Sequence, residues 1–342
     1  MARKARQKAL GGFLYKLRYR FGEYASRGFM VCLPYLPVRL VTWFFSSVTW
    51  TSFLILRRYR ARMAKNIAAT MGREIPDAAA RNALVWEAWR NFARTIIDTI
   101  KVVHLPRERI ISNITLAGEE HLQAALRNGK GVIALSAHLG AFSLIGPRLA
   151  AVGYPFSVVV KHPADKRFAQ LTDDFRARVG VSTIPAKPRR NAVRGIVKAL
   201  RENRIVLVIA DEFKSGEILV DFFGVQVPAP RGPATLALRT GAVTLPMFAV
   251  RRPDDSVLLS IEAAIEPILS DDLESSVVAT TARYTARLEQ AIRQYPAQWN
   301  WLGLPRHSSM ISDAERVRRE RESRRESARR ADSAVRKTGT SS

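Results

Sequence analysis

The chain has one cysteine, Cys32, in 342 residues. That excludes an intramolecular disulfide framework and a thiolate metal cluster, and it fits a reducing compartment. The 5 histidines, at 104, 121, 138, 162 and 307, show neither HExxH nor any i, i+4 pair. No dedicated zinc site is therefore expected, and no metal or organic cofactor is implied. GxSxG is absent, which argues against the nucleophile elbow of a serine hydrolase. Zinc-finger spacing and RNP-type aromatics are missing too, so nucleic acid is not the expected partner. Negative charge is also scarce: 30 Asp and Glu stand against 55 Lys and Arg, a formal net charge of +25. Such a balance favours polyanions, and an anionic lipid surface or an acidic carrier protein fits best.

The basic residues cluster at the ends. "MARKARQKALGGFLYKLRYR" opens the chain, and "RRYRARMAK" follows an apolar stretch. "AERVRRERESRRESARRADSAVRK", near the C-terminus, has almost no large apolar residue and suits a solvated tail, disordered or fraying. Between the first two clusters, the uninterrupted apolar run 40–56 would measure roughly 25 Å as a helix, against a hydrocarbon core of about 30 Å. It is marginal for spanning. Trp43, Trp50 and the basic flanks suit insertion into the interface of an anionic, cytoplasmic leaflet, and a buried core helix with basic caps is the competing reading. A cleavable signal peptide fits poorly, because "RRYRAR" stands where a small-residue cleavage site belongs.

Residues 57–104 carry helical periodicity, with a helix start at Pro76-Asp77. From about residue 110 strands alternate with helices: "NITLAG", "GVIALSA", "FSVVVK", "STIPA", "RIVLVIA", "AVTLPMFAV" and "SVLLSIEAA" are the strands. This pattern predicts an α/β fold with a mostly parallel central sheet flanked by helices. A helix is expected to start near Gly140, and residues 213–233 are expected to be irregular. Three units follow: a helical, membrane-associating arm over 1–105, an α/β domain over 106–310, and a basic tail over 311–342. No internal repeat is evident.

Ligands of open α/β sheets bind at the carboxyl ends of strands. Three candidates meet that rule: His138 after "GVIALSA", Asp211-Glu212 after "RIVLVIA", and the loop "PRGP" before a helix. Histidine suits a general base near neutral pH. Arg231 can hold a phosphate, and Gly232 opens a helix whose N–H groups can face an oxyanion. A structural histidine, capping acids and solvated arginines are the competing readings. Trp299 and Trp301 are expected to pack or to anchor at an interface.

From about residue 35 to residue 306 the chain resembles the lysophospholipid acyltransferase superfamily, and within it the bacterial late acyltransferases of lipid A biosynthesis. The most specific stretch is "VDFFGVQVPAPRGPATLALRTGAVTLPMF"; "LRENRIVLVIADEF", "FRARVGVSTIP" and "QYPAQWNWLGLPR" add to it. The resemblance implies a glycerol-3-phosphate acyltransferase-like fold on the inner membrane, facing the cytoplasm. It implies transfer of a fatty acyl chain from an acyl carrier protein or acyl-CoA to a hydroxyl or amine of a glycolipid or lysolipid. The family signature, His-x4-Asp/Glu, falls on His138 and Ser143, so the base matches and the acid does not. Ser143 can accept the ring N–H without supplying charge, while Asp211 or Glu212 can supply charge from a neighbouring strand. Gly140 and Arg176 are further candidates for substrate contact. The alternative is a weakened or inactive member that binds lipid without turning it over.

Overall fold

The computed structural model describes residues 38–304 apart from 214, 215 and 217, together with 24 and 28. The basic opening segment and the tail over 311–342 lie outside the described residues.

From residue 38 on, the described chain opens with the helices α1 (Val38–Ile55), α2 (Arg57–Met71) and α3 (Ala78–Lys101). Asp77 caps α3 as its sequence predicts, accepting from the N–H groups of Ala79 and Ala80. No helix among the described residues is long and apolar enough to cross a membrane. Along α1 the side chains of Leu40, Trp43, Phe44, Val48, Trp50, Leu54 and Ile55 are exposed. Met63, Ile67 and Met71 of α2 and Leu84, Val85 and Ala88 of α3 are buried in one cluster with Leu135, Phe248 and Trp299. These two helices thus share a core with the sheet.

The α/β alternation follows: α4 (Arg107–Asn113), β1 (Ile114–Ala117), α5 (Glu119–Arg127), β2 (Val132–Ser136), α6 (Ile145–Ala151), β3 (Phe156–Val160), α7 (Lys166–Arg178), β4 (Val181–Pro185), α8 (Arg189–Arg201) and β5 (Ile205–Ile209). After a hairpin of β6 (Ile218–Phe222) and β7 (Val225–Ala229) come α9 (Gly232–Thr240), β8 (Val243–Arg251), β9 (Val257–Ile261) and α10 (Leu273–Gln294). Seven strands form one sheet in the order β1-β9-β8-β2-β5-β3-β4. From β8 to β4 neighbouring strands run parallel; β9 is antiparallel to β8, and β1 parallel to β9. The sheet is therefore mixed but mostly parallel. Every residue of β2 is buried, the signature of a strand covered on both faces.

Two expectations need correction. Residues 213–233 are not irregular throughout, because β6 and β7 pair antiparallel there. Phe222 pairs with Val225, leaving Phe223 and Gly224 as a two-residue turn with φ of 55° and 72°. Positive φ at both positions is the demand of a type I′ turn, whose twist matches that of the strands. The turn is hard to see in sequence because a phenylalanine holds its first position. The helix expected from Gly140 starts later, as a 3-10 turn over Phe142–Leu144 that leads into α6. Gly140 has φ +59°, and the Ala141 N–H donates to the carbonyl of Ala249 in β8. The chain is thus held in a sheet-like bridge before it can coil.

Candidate active site

β2 delivers His138 just past its carboxyl end, between β8 and β5, and β5 delivers Asp211. The register pairs Ser136 with Ile209. Each strand therefore ends at the same level, and its second following residue stands beside the other's. The Asp211 carboxylate takes the His138 ring Nδ1 at 2.7 Å through Oδ1. Its Oδ2 accepts the backbone N–H of His138 at 2.8 Å and the indole N–H of Trp299 at 2.8 Å. Asp211 is 1 % exposed. Burial alone would raise its carboxyl pKa. The charge and ring N–H of His138, the Trp299 indole and the His138 backbone N–H outweigh that and hold it below its ordinary 3.8. An ionised carboxylate at Nδ1 fixes the proton there and leaves the lone pair on Nε2. The histidine side chain keeps 29 % of its surface exposed.

The backbone around the ring is fastened from several directions. The His138 carbonyl accepts the N–H of Asn300, and the Gly140 N–H donates to the carbonyl of Gln298. Thr95 of α3 donates its hydroxyl to the Gly140 carbonyl at 2.8 Å. Leu139 and Trp299 form an antiparallel bridge. Phe142 meets the imidazole edge-on, with ring centres 5.0 Å apart. A Cβ on Gly140 would stand 2.2 Å from the Ala249 carbonyl oxygen, so this glycine is there for close packing.

The other candidates are arranged differently. Glu212 is exposed, whereas its neighbour Asp211 is buried. Ser143 Oγ lies 2.8 Å from the hydroxyl of Thr99, so its polar partner is on α3. Arg231 precedes α9 and pairs with Glu274 in the first turn of α10. Nothing stands within 4 Å of a Cβ built on Gly232. Because α9 leads into β8, which is parallel to β2, the Arg231-Gly232 corner faces the same sheet edge as His138. Arg176 of α7 bonds to the Thr172 carbonyl and to Asp173, which also holds His162 at 2.9 Å. Desolvation lowers the Arg176 pKa, and Asp173 works against that shift. No cluster of metal-holding side chains occurs among the described residues.

Two cavities are lined in part by α3. One, of about 360 Å³, is lined by apolar groups of α1, α2 and α3, including Phe45, Val48, Trp89, Phe92 and Ile96, and it ends on Asn300 and Leu302. The other, of about 630 Å³, has a mixed wall in which Asp98, Lys101, His104, Asn113 and Arg251 stand among Val102, Leu105 and Ile110. Neither wall contains His138 or Asp211. The apolar one reaches Asn300, whose N–H holds the His138 carbonyl.

Sequence reasoning left Asp211 and Glu212 as equals and did not connect Trp299 to the site. The indole lies 88 residues from its carboxylate. No local spacing could have signalled that bond.

A mostly parallel α/β sheet with a histidine–carboxylate pair at its carboxyl edge is a frame suited to moving a group onto a nucleophile activated by a base. The family of bacterial lipid A biosynthesis acyltransferases matches residues 13–306. The chain belongs to this family and is an acyltransferase. It is similar to the phosphatidylinositol mannoside acyltransferase of Mycobacterium tuberculosis (strain CDC 1551 / Oshkosh), 26% identical over 273 residues, covering 76% of this chain and 83% of the relative. The enzyme of that name from Mycolicibacterium smegmatis is 26% identical over 270 residues, covering 76% and 86%. The lipid A biosynthesis palmitoleoyltransferase of Escherichia coli (strain K12) is 24% identical over 230 residues, covering 66% and 72%.

Proposed function

We propose that this acyltransferase moves a fatty acyl chain from a thioester donor, an acyl carrier protein or acyl-CoA, to a hydroxyl or amine of a glycolipid or lysolipid. His138 is the general base and Asp211 the carboxylate that orients it. Nε2 takes the proton from the acceptor as the acceptor's oxygen or nitrogen attacks the thioester carbonyl. The tetrahedral intermediate then collapses, the C–S bond breaks, and the imidazolium returns the proton to the leaving thiolate. Through both steps the Asp211 charge stabilises the imidazolium and keeps the reactive nitrogen facing outward.

The 2.7 Å contact between His138 and Asp211 carries this reading. The case for a weakened member rested on the serine at position 143. A buried, ionised carboxylate reaches the ring from another strand, so that ground falls away.

The apolar cavity between α1, α2 and α3 suits a hydrocarbon chain, and the exposed Trp43, Phe44 and Trp50 suit the interface of an anionic inner membrane, facing the cytoplasm. At the sheet edge, Arg231 can exchange Glu274 for a phosphate, while the first N–H groups of α9 near Gly232 meet the oxyanion. The test is acyl transfer from a defined thioester to a glycolipid by purified enzyme. His138→Ala is expected to lower kcat by about 10²–10⁴. A His138→Ala enzyme working at the wild-type rate defeats the reading.

A further inference from the structure

Two tryptophans stand side by side near the end of the described chain, and their indoles do different work. Trp299 and Trp301 are 1 % and 0 % exposed, with ring centres 4.8 Å apart at 75°. Trp301 donates its N–H to a backbone carbonyl, that of Pro296, at 2.8 Å. Trp299 donates to the Asp211 carboxylate at the same distance. A packing tryptophan needs only some acceptor for its buried N–H. Trp299 has spent its donor on a charged oxygen of the site.

We infer that Trp299 is a positioning residue for acyl transfer, its indole N–H fixing the Asp211 carboxylate in the orientation that holds the imidazole of His138. This rests on the reading of His138 and Asp211 as a working pair. Oδ2 receives two donors, the Trp299 indole and the His138 backbone N–H, so Oδ1 is left aimed at Nδ1. Without the indole, the carboxylate can swing about its last bond. The same short segment holds the other partner, since the Asn300 N–H donates to the His138 carbonyl and Leu139 bridges to Trp299. The ring of Trp299 is itself wedged against Phe222, 5.7 Å away, and Trp301. One strap from the far end of the chain thus sets acid and base together.

Removing the donor also has a sign. Once the carboxylate swings, Oδ1 is no longer held at Nδ1–H and stabilises the imidazolium less. The base then loses its proton at lower pH. Among the described residues, His138 is the one titratable side chain hydrogen-bonded to Asp211, and the adjacent Glu212 is exposed.

The experiment compares Trp299→Phe with Trp301→Phe, which removes a buried indole of the same kind that bonds to the Pro296 carbonyl and not to the carboxylate. Hydrogen bonds to charged groups contribute enough that kcat of Trp299→Phe is expected to fall about tenfold. KM for the donor should stay within about twofold, and the acid limb of kcat/KM should move to lower pH. Trp301→Phe should leave the limb in place and lower only the thermal midpoint. Wild-type kcat and an unmoved limb in Trp299→Phe, or the same displacement in Trp301→Phe, overturn the inference. Should Trp299→Phe fail to fold, the indole N–H signals of ¹⁵N-tryptophan enzyme decide. A Trp299 indole bonded to a carboxylate must shift in Asp211→Asn, and indole signals that all stay in place refute the bond. A His138→Ala enzyme of undiminished rate would instead remove the dyad itself.

Discussion

The edge of the sheet at His138 and the helix α1 are built to opposite specifications. At the edge, one carboxylate takes three hydrogen bonds, and the backbone of residues 138–141 is tied to α3, to β8 and to the segment 298–300. On α1, seven large apolar side chains face outward. Rigid polar order suits a group that must hold a proton at one atom; bare apolar surface suits a boundary with something other than water. If α1 attaches the enzyme to a membrane as proposed, chemistry and attachment are separable here, and each can be damaged without the other.

The largest expected effect breaks the first half of that contrast. Asp211→Asn keeps the shape of the side chain but removes its charge and leaves an N–H₂ to face a ring nitrogen or a donor. In a serine-protease triad the same exchange costs about 10⁴ in kcat through the wrong tautomer, and a loss of about 10²–10⁴ is expected in acyl transfer. Attachment to vesicles should not change. A second effect of that carboxylate is on stability. Its folded pKa lies below its ordinary 3.8, so its contribution is complete above that value and is lost as pH falls through the folded pKa. Thermal midpoints measured from pH 6 down to about pH 3 should therefore fall less steeply for Asp211→Asn than for wild type. Equal slopes would mean that the ion pair does not stabilise the fold.

The second half is sharpened on α1. Burying a large aliphatic or phenylalanine side chain contributes about 1.5–3 kcal/mol, and an indole offers at least comparable apolar area. Replacing Trp43 and Trp50 together by Ser should weaken binding to anionic vesicles by at least about tenfold, with turnover of detergent-dispersed substrate retained. Unchanged sedimentation with vesicles would end the assignment of this face to a membrane. The smallest effect is expected at Glu212. As an exposed side chain next to a buried one, it should tolerate Gln with acyl transfer within about twofold of wild type. A collapse of activity there would exchange the roles of the two neighbouring acids.

The order of elements was legible because buried parallel strands are short apolar runs, and β2, β3, β5, β8 and β9 all fall where such runs occur. The hairpin β6–β7 was hidden by Phe223 at a turn position that normally favours glycine or asparagine. His138 was visible as a histidine at a strand end, and the family signature pointed to the same residue. Its partner was visible only as one of two neighbouring acids, Asp211 or Glu212; the family signature itself directs attention to position 143, where Ser143 meets Thr99 instead of the ring.

By itself the sequence determined the alternation of strands and helices, the charged ends and the presence of two acids after β5, all of which depend on residues near one another in the chain. Only the tertiary structure decided which acid serves His138. Successive residues leaving a strand point to opposite sides, so the register of β5 on β2 turns Asp211 inward and Glu212 out. The pair is 73 residues apart, and the indole that steadies it a further 88 along, so their meeting is a property of the packed sheet.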